Sequence, residues 1–76
     1  MKNIMLPELG EGIEEAVVSL WHFAEGETVK VDDDLVEIVT DKATFNVPAG
    51  TSGKIKRIVT SEGTTVKIGE VLAELE

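Results

Sequence analysis

The chain has 76 residues, with seven basic and fifteen acidic side chains and no cysteine. Its net charge of −8 disfavours nucleic acid and anionic membranes as partners, because such a surface repels a polyanion. The lack of cysteine excludes disulfides and thiolate metal sites, and no apolar run forms a signal-peptide core or approaches the roughly 20 residues of a membrane span. We therefore expect one small intracellular domain spanning residues 1–76, stabilised by packed apolar side chains.

Short apolar runs alternate with glycine-rich turns along the whole sequence. Val, Ile, Thr and Phe favour strands, and glycine recurs too often for a helix of useful length. The predicted strands are residues 2–6, 16–23, 28–30, 35–40, 44–47, 53–59, 64–67 and 71–76. An acidic, glycine-containing loop, residues 8–15, separates the first two. We expect Trp21 and Phe45 to lie in the core.

The second half of the sequence repeats the first. Residues 25–31 match residues 62–68 at an offset of 37 (62 − 25), whereas Leu6-Pro7 matches Val47-Pro48 at an offset of 41 (47 − 6). The first half therefore carries four additional residues (41 − 37) in or beside the acidic loop. Neither half buries its apolar face alone. We predict an all-β fold, a flattened eight-strand antiparallel barrel or sandwich of two four-stranded sheets with a pseudo-two-fold axis.

The stretch 35–47, LVEIVTDKATFNV, predicts a hairpin whose strands flank a short polar break. A four-residue turn fits either residues 40–43 or residues 41–44. Lys42 is central in both, so its amine projects away from the sheet. A type I turn is favoured, because the primed hairpin turns usually require Gly or Asn. Taken alone, Lys42 is an ordinary solvated turn lysine.

Three segments together resemble the lipoyl domain of the 2-oxo acid dehydrogenase complexes. They are the opening LPELGEGI of residues 6–13, the hairpin VEIVTDKA of residues 36–43, and the closing Glu62-Gly63 and Gly69-Glu70-Val71-Leu72. The resemblance covers nearly the whole chain. An isolated Asp-Lys-Ala is a weak motif, but it is a strong one between two strands midway through a duplicated β domain.

The resemblance implies that Lys42 carries lipoic acid in amide linkage, added by a lipoate-attaching enzyme, and acts as a swinging arm. The implied partners are a thiamine-dependent 2-oxo acid decarboxylase, the acyltransferase catalytic domain and dihydrolipoyl dehydrogenase. The chain is then a non-catalytic domain of a dihydrolipoamide acyltransferase, expected to be monomeric in isolation. The expected location is the bacterial cytoplasm or the mitochondrial matrix.

Neighbouring residues are assigned to presentation and docking. Ala43 is small and leaves room for a partner around the lysine stem, and Asp41 adds a recognisable charge, although ordinary turn chemistry explains both equally well. Glu11, Glu14 and Glu15 are candidates for docking the decarboxylase. The competing explanation for these three is a solvated acidic loop.

Two other functions stay open on sequence alone. A biotinyl carrier shares the fold, but that family typically places methionine on both sides of its lysine, where this chain has Asp41 and Ala43. An unmodified β module that binds a partner is the other alternative. His22 is the sole histidine and has no nucleophile beside it, and the acidic run 32–34 lacks the spaced ligands of a calcium loop. We expect no catalytic residue and no metal site.

Overall fold

Eight short strands provide the regular structure of the computed structural model, which describes residues 2–76. In chain order they are β1 (Lys2–Met5), β2 (Glu15–Trp21), β3 (Thr28–Val29), β4 (Asp34–Val39), β5 (Thr44–Pro48), β6 (Gly53–Ile58), β7 (Thr65–Lys67) and β8 (Val71–Leu75). They form two four-stranded antiparallel sheets, ordered β1-β8-β6-β3 and β5-β4-β2-β7. The predicted all-β fold is confirmed, and each predicted strand is present with ends that differ by one or two residues at most. The described chain contains no helix that is long and apolar enough to cross a membrane.

Each sheet takes two strands from each half of the sequence. Replacing every strand of the first sheet by the strand four places away in chain order gives β5-β4-β2-β7, which is the order of the second sheet. The predicted pseudo-two-fold relation is therefore confirmed, and the two halves interleave rather than forming one sheet each. By the same relation, the β4–β5 hairpin is the counterpart of the place where β8 and β1 pair, with Lys2 opposite Leu75.

The two repeated Glu-Gly turns, which carry the chain from one sheet to the other, make equivalent hydrogen bonds. The Glu62 carboxylate accepts the N–H of Trp21 at 2.8 Å, and the Glu25 carboxylate accepts the N–H of Ile58 at 2.9 Å. Trp21 and Ile58 are themselves related by the repeat offset of 37 (58 − 21). Strands β2 and β6 both shift register a few residues earlier. The two carboxylates thus accept backbone N–H groups close to the places where the pairing of β2 and β6 is irregular.

The glycines of the same turns have a left-handed backbone. Gly26 and Gly63 have φ angles of 91° and 85°, which residues with a Cβ rarely adopt. Their N–H groups donate to the carbonyls of Ile55 and Val18, each at 2.7 Å. The structure therefore explains why the Glu-Gly pair is repeated. In each turn, the Glu carboxylate and the Gly N–H both bond to a strand of the opposite half.

Every strand contributes at least one buried apolar side chain to the core between the sheets. The core residues are Ile4, Leu6, Ala16, Val18, Val29, Leu35, Val36, Ile38, Val47, Ala49, Ile55, Val66, Leu72, Ala73 and Leu75. This core is entirely aliphatic. Trp21 and Phe45, which were expected inside it, are instead half-buried at its edge. The indole of Trp21 is held in this position by a hydrogen bond that Nε1 donates to the carbonyl of the buried Thr60 at 2.8 Å.

Replacing Glu62 with Ala should lower the free energy of unfolding by about 1 kcal/mol, because the Trp21 N–H loses a charged acceptor that is partly screened by solvent. Urea denaturation measures the change. Glu62→Gln, which keeps an acceptor oxygen, should lose less, and Glu8→Ala in the exposed opening loop is the control. A midpoint for Glu62→Ala equal to that of Glu8→Ala would contradict this role of the carboxylate.

Candidate functional site

Lys42 is exposed at the tip of the hairpin that joins β4 to β5. The Thr40 N–H donates to the Ala43 carbonyl at 2.8 Å, so the turn comprises residues 40–43, the first of the two predicted frames. No non-glycine residue in the described part of the chain has a positive φ, which excludes a primed turn here, as predicted.

The hydroxyl of Thr40 organises this turn. Its Oγ1 accepts the N–H groups of Lys42 at 3.2 Å and of Ala43 at 3.0 Å, and donates to the Ala43 carbonyl at 2.9 Å. A threonine hydroxyl has one donor and two acceptor positions, so its hydrogen-bonding capacity is filled. A type I turn usually closes on the carbonyl of its first residue, whereas a side-chain oxygen accepts the Ala43 N–H here. The Thr40 side chain thus takes the place of the backbone carbonyl as the acceptor that closes this turn.

Thr40 was missed as a site residue by sequence reasoning. The available signal was its place immediately before the polar break, since Ser and Thr hydroxyls commonly bond to backbone groups two or three residues ahead. Ala43 takes part in the turn only through its backbone, and Asp41, Lys42 and Ala43 all expose their side chains. The folded turn therefore leaves these three side chains available to other molecules.

The amine of Lys42 reaches the acidic loop that joins β1 to β2. Its Nζ donates a long hydrogen bond to the carbonyl of Glu11 at 3.4 Å. A Cβ built on Gly12, which has a φ of 82°, would lie 3.2 Å from the same Nζ. The loop and the hairpin are therefore in contact at this point. The parts of the loop next to the amine are the backbone carbonyl of Glu11 and Gly12, which has no side chain.

An open groove of about 330 Å³ adjoins this contact, between the loop and the outer face of the second sheet. Its lining residues are Gly12, Glu14, Glu15, Ala16, Val17, Val39, Thr40, Asp41 and Thr65. Two of the three glutamates predicted to dock a partner therefore border the same groove as Asp41. The third, Glu11, is exposed and contacts the lysine through its carbonyl.

The other polar residues considered in the sequence lie in local structural contacts. His22 is exposed, with Nε2 3.0 Å from Oδ1 of Asn46. The Asp33 carboxylate accepts the N–H of Lys30 at 2.9 Å and closes a turn. Within residues 2–76 there is no group of three or more His, Cys, Asp or Glu side chains placed to hold a metal ion.

The chain is similar in sequence to domains of much longer proteins. A family model described as "Biotin-requiring enzyme" matches residues 2–75. The chain is 42% identical over 74 residues to the dihydrolipoyllysine-residue succinyltransferase component of the 2-oxoglutarate dehydrogenase complex of Bartonella vinsonii subsp. berkhoffii, covering 97% of this chain and 18% of that protein. It is 38% identical over 73 residues to the dihydrolipoyllysine-residue acetyltransferase component of the pyruvate dehydrogenase complex of Corynebacterium glutamicum, covering 96% and 11%. The chain thus spans less than a fifth of the length of these relatives.

The fold also matches a solved structure. The solution structure of the lipoyl domain of the 2-oxoglutarate dehydrogenase complex from Azotobacter vinelandii superposes with a TM-score of 0.77 at 42% sequence identity. The match covers 97% of this chain and 94% of that one. The similarity therefore extends over both chains almost completely.

Replacing Thr40 with Val keeps the side-chain shape but removes the hydroxyl, leaving the N–H groups of Lys42 and Ala43 without their acceptor. We expect a loss of about 1–2 kcal/mol in the free energy of unfolding and faster amide hydrogen exchange at Ala43. Thr40→Ser, which keeps the hydroxyl, is the matched control and should preserve the slow exchange. Equal exchange rates in the two variants would show that the hydroxyl does not organise the turn.

Proposed function

Because the chain is a lipoyl domain of the biotin/lipoyl-attachment family, we propose that Lys42 is the residue that carries its lipoic acid, in amide linkage. The observation that supports this most directly is the exposure of the Lys42 amine at the tip of a hairpin, where its one described hydrogen bond is to a backbone carbonyl. An attaching enzyme must reach and deprotonate that nitrogen from outside the domain. A turn tip allows such access.

The surroundings of the amine fit an amide as well as an ammonium. The modified nitrogen keeps one N–H, and the Glu11 carbonyl remains in place to accept it. Gly12 has no side chain to collide with the enlarged group. Modification removes one positive charge and takes the net charge from −8 to −9 (−8 − 1). No carboxylate contact to the amine is described that this loss would break.

The position of Lys42 also sets it apart from the other lysines. Lys2, Lys54, Lys56 and Lys67 lie within strands, and Lys30 directly follows β3. The pseudo-symmetric counterpart of the lysine hairpin is the pairing of β8 with β1, two strands that are not consecutive in the chain and are not joined by a tight turn. Among the lysines of residues 2–76, Lys42 alone lies at the tip of a hairpin.

The domain acts as a carrier and not as a catalyst. Bound at Lys42, lipoic acid would supply a dithiolane able to accept acyl groups and electrons. Tethering at the hairpin raises the effective concentration of that group at successive active sites. We propose that these active sites are those of a thiamine-dependent 2-oxo acid decarboxylase, an acyltransferase catalytic domain and dihydrolipoyl dehydrogenase. The chain would be a monomeric domain, residues 1–76, of an acyltransferase component in the bacterial cytoplasm or the mitochondrial matrix.

The acidic surface beside the hairpin supports docking to the decarboxylase. Glu11 and Glu14 are exposed on the loop that contacts the Lys42 amine, and Glu15 is exposed at the start of β2. Asp41 lines the same groove as Glu14 and Glu15. We propose that this negative surface steers a basic patch of the partner toward the arm. Ala43, on the other side of Lys42, is exposed and small, so a partner can approach the stem closely.

Lipoate is proposed rather than biotin for two reasons. The lysine is flanked by Asp41 and Ala43 and not by methionines. The two acyltransferase relatives and the solved Azotobacter domain are named for lipoyl chemistry. The alternative of an unmodified interaction module gives no reason for a lysine amine to be exposed at the tip of a hairpin.

Replacing Lys42 with Ala should abolish the lipoyl adduct when the protein is expressed with lipoate, as read by intact mass. The free energy of unfolding should change by no more than about 0.5 kcal/mol, because the side chain is exposed. Lys67→Ala is the matched control and should keep the adduct. Moving the lysine one position, by Asp41→Lys with Lys42→Ala, should sharply reduce modification. An adduct on Lys42→Ala would refute the assignment, and equal modification of the shifted lysine would show that position on the turn is not recognised.

Replacing Gly12 with Ala should slow lipoylation modestly, because the new methyl group would lie 3.2 Å from Nζ and would shift this flexible amine by a few tenths of an ångström relative to the Glu11 carbonyl. The left-handed φ of 82° adds a stability cost of about 1–2 kcal/mol. Gly50→Ala separates the two effects, because Gly50 has a φ of 71° and a methyl group added there would meet no atom within 4 Å. Equal rates of lipoylation in the two variants would mean that the contact with Lys42 is irrelevant.

A further inference from the structure

Beside Lys42, the outer face of the second sheet carries an exposed apolar pair. Val17 of β2 and Val39 of β4 are directly opposite each other, and their exposed fractions are 41% and 37%. Thr65 of β7 pairs with Val17, and Thr44 of β5 pairs with Val39. Directly paired residues lie on the same face of a sheet. These four residues, here called the outer row, therefore cross all four strands on the solvent side.

Three residues of the outer row line the groove that adjoins the contact between Gly12 and the Lys42 amine. Val17, Val39 and Thr65 line it, and so does Gly12, whose Cβ position lies 3.2 Å from Nζ of Lys42. The volume of about 330 Å³ is at the lower end of the range for small-molecule sites. A group attached to Nζ therefore starts beside Gly12, one of the residues that line this partly apolar groove.

We propose that this groove is a docking site for the prosthetic arm of the same molecule, so that the aliphatic chain attached to Lys42 lies along Val17 and Val39 between visits to partner enzymes. The inference rests on the proposed function, since it requires the arm to be present. It adds a resting place for the arm on this chain. Its two exposed valines, Val17 and Val39, are on strands of the second sheet rather than at the hairpin tip.

The chemistry of the walls favours an uncharged, aliphatic occupant. Val17 and Val39 offer methyl groups to a hydrocarbon chain, and burying them removes apolar surface from water. Glu14, Glu15 and Asp41 also line the groove and disfavour any anion. The amide-linked arm has lost the carboxylate of free lipoate, so it suits such a groove better than the free acid does. The chain has no cysteine, and a docked dithiolane therefore meets no protein thiol with which to exchange.

Tethering makes a weak site sufficient. A short flexible tether gives an effective concentration on the order of millimolar, so an intrinsic dissociation constant of about the same size leaves the arm docked for roughly half of the time. Val17 and Val39 each keep more than a third of their surface exposed, which suits such weak and reversible contact. The docked arm remains available to partners because it leaves the groove readily.

The experiment compares the ¹H–¹⁵N spectra of lipoylated and unmodified domain, after intact mass has established the adduct on Lys42. We expect differences at the backbone amides of Val17, Val39 and Thr65, and nuclear Overhauser contacts from the arm methylenes to the valine methyls. Differences confined to residues 41–43 would overturn the inference while leaving the proposed function intact. Absence of the adduct would overturn both.

A matched pair of variants tests the apolar contact itself. Val17→Thr keeps the β-branched shape but removes a methyl from the groove, and should lower the docked-to-free ratio of the arm about two- to threefold. Val59→Thr is the control, because Val59 is 42% exposed and does not line the groove. Equal spectra for the two lipoylated variants, beyond the mutated site, would overturn the proposal.

Small analogues provide a second measurement on unmodified domain. Lipoamide, which is uncharged, should shift the amides of Val17, Val39 and Thr65 at millimolar concentration, and lipoate should shift them less. Equal shifts with both compounds, or none with lipoamide, would contradict the proposed selectivity of the groove. Shifts at the same amides that depend on the concentration of the domain alone would identify a second copy of the chain as the occupant and would also overturn the inference.

Discussion

The fold depends on backbone pairing between the two halves of the sequence. Each sheet takes two strands from each half, so neither half of the sequence can form a complete sheet by itself. The Glu-Gly turns reinforce this interdependence, because the Glu25 and Glu62 carboxylates bond to amides of β6 and β2. A small aliphatic core between the sheets then suffices, since its side chains come from every strand. We infer that folding of either half requires the other.

The two halves of the fold differ from each other at the residues to which the function is assigned. The first half has additional residues between its opening strand and its second strand, and the resulting loop brings Glu11 and Gly12 against the Lys42 amine. The hairpin bearing Lys42 joins β4 to β5 by a turn, whereas its counterpart pairs β8 with β1, which are not consecutive strands. Duplication therefore provides a rigid support, and the two departures from it provide the lysine and its neighbours. The Thr40 hydroxyl fixes the turn without using any of the three exposed side chains that follow it.

Much of this arrangement follows from sequence because it depends on local patterns. Strand positions follow from β-branched runs and glycine turns, and the position of Lys42 at a tip follows from the polar break between two such runs. Interleaving of the halves does not follow, because a repeat shows which strands are equivalent but not which of them pair. The role of Thr40 was also hidden, since its bonds run from a side chain to the backbone and leave no apolar pattern. The position of Trp21 at the edge of the core was hidden too, because its Nε1 bonds to the carbonyl of Thr60, a residue far away in sequence.

The exposure of Val17 and Val39 follows from the same architecture. Alternation along β2 and β4 places one set of side chains in the core, with Ala16, Val18 and Ile38 buried, and leaves the intervening residues outside. Polar side chains would satisfy that outer position equally well, so the fold gives no reason for two valines to lie opposite each other beside the lysine. An exposed apolar pair on a domain this small also favours association between copies, which the net charge of −8 opposes. A role for the pair in contacting an aliphatic arm explains both its chemistry and its place, because a tethered ligand needs only a shallow, weakly binding surface within its own reach. Tighter binding would work against a carrier, since each transfer requires the arm to leave.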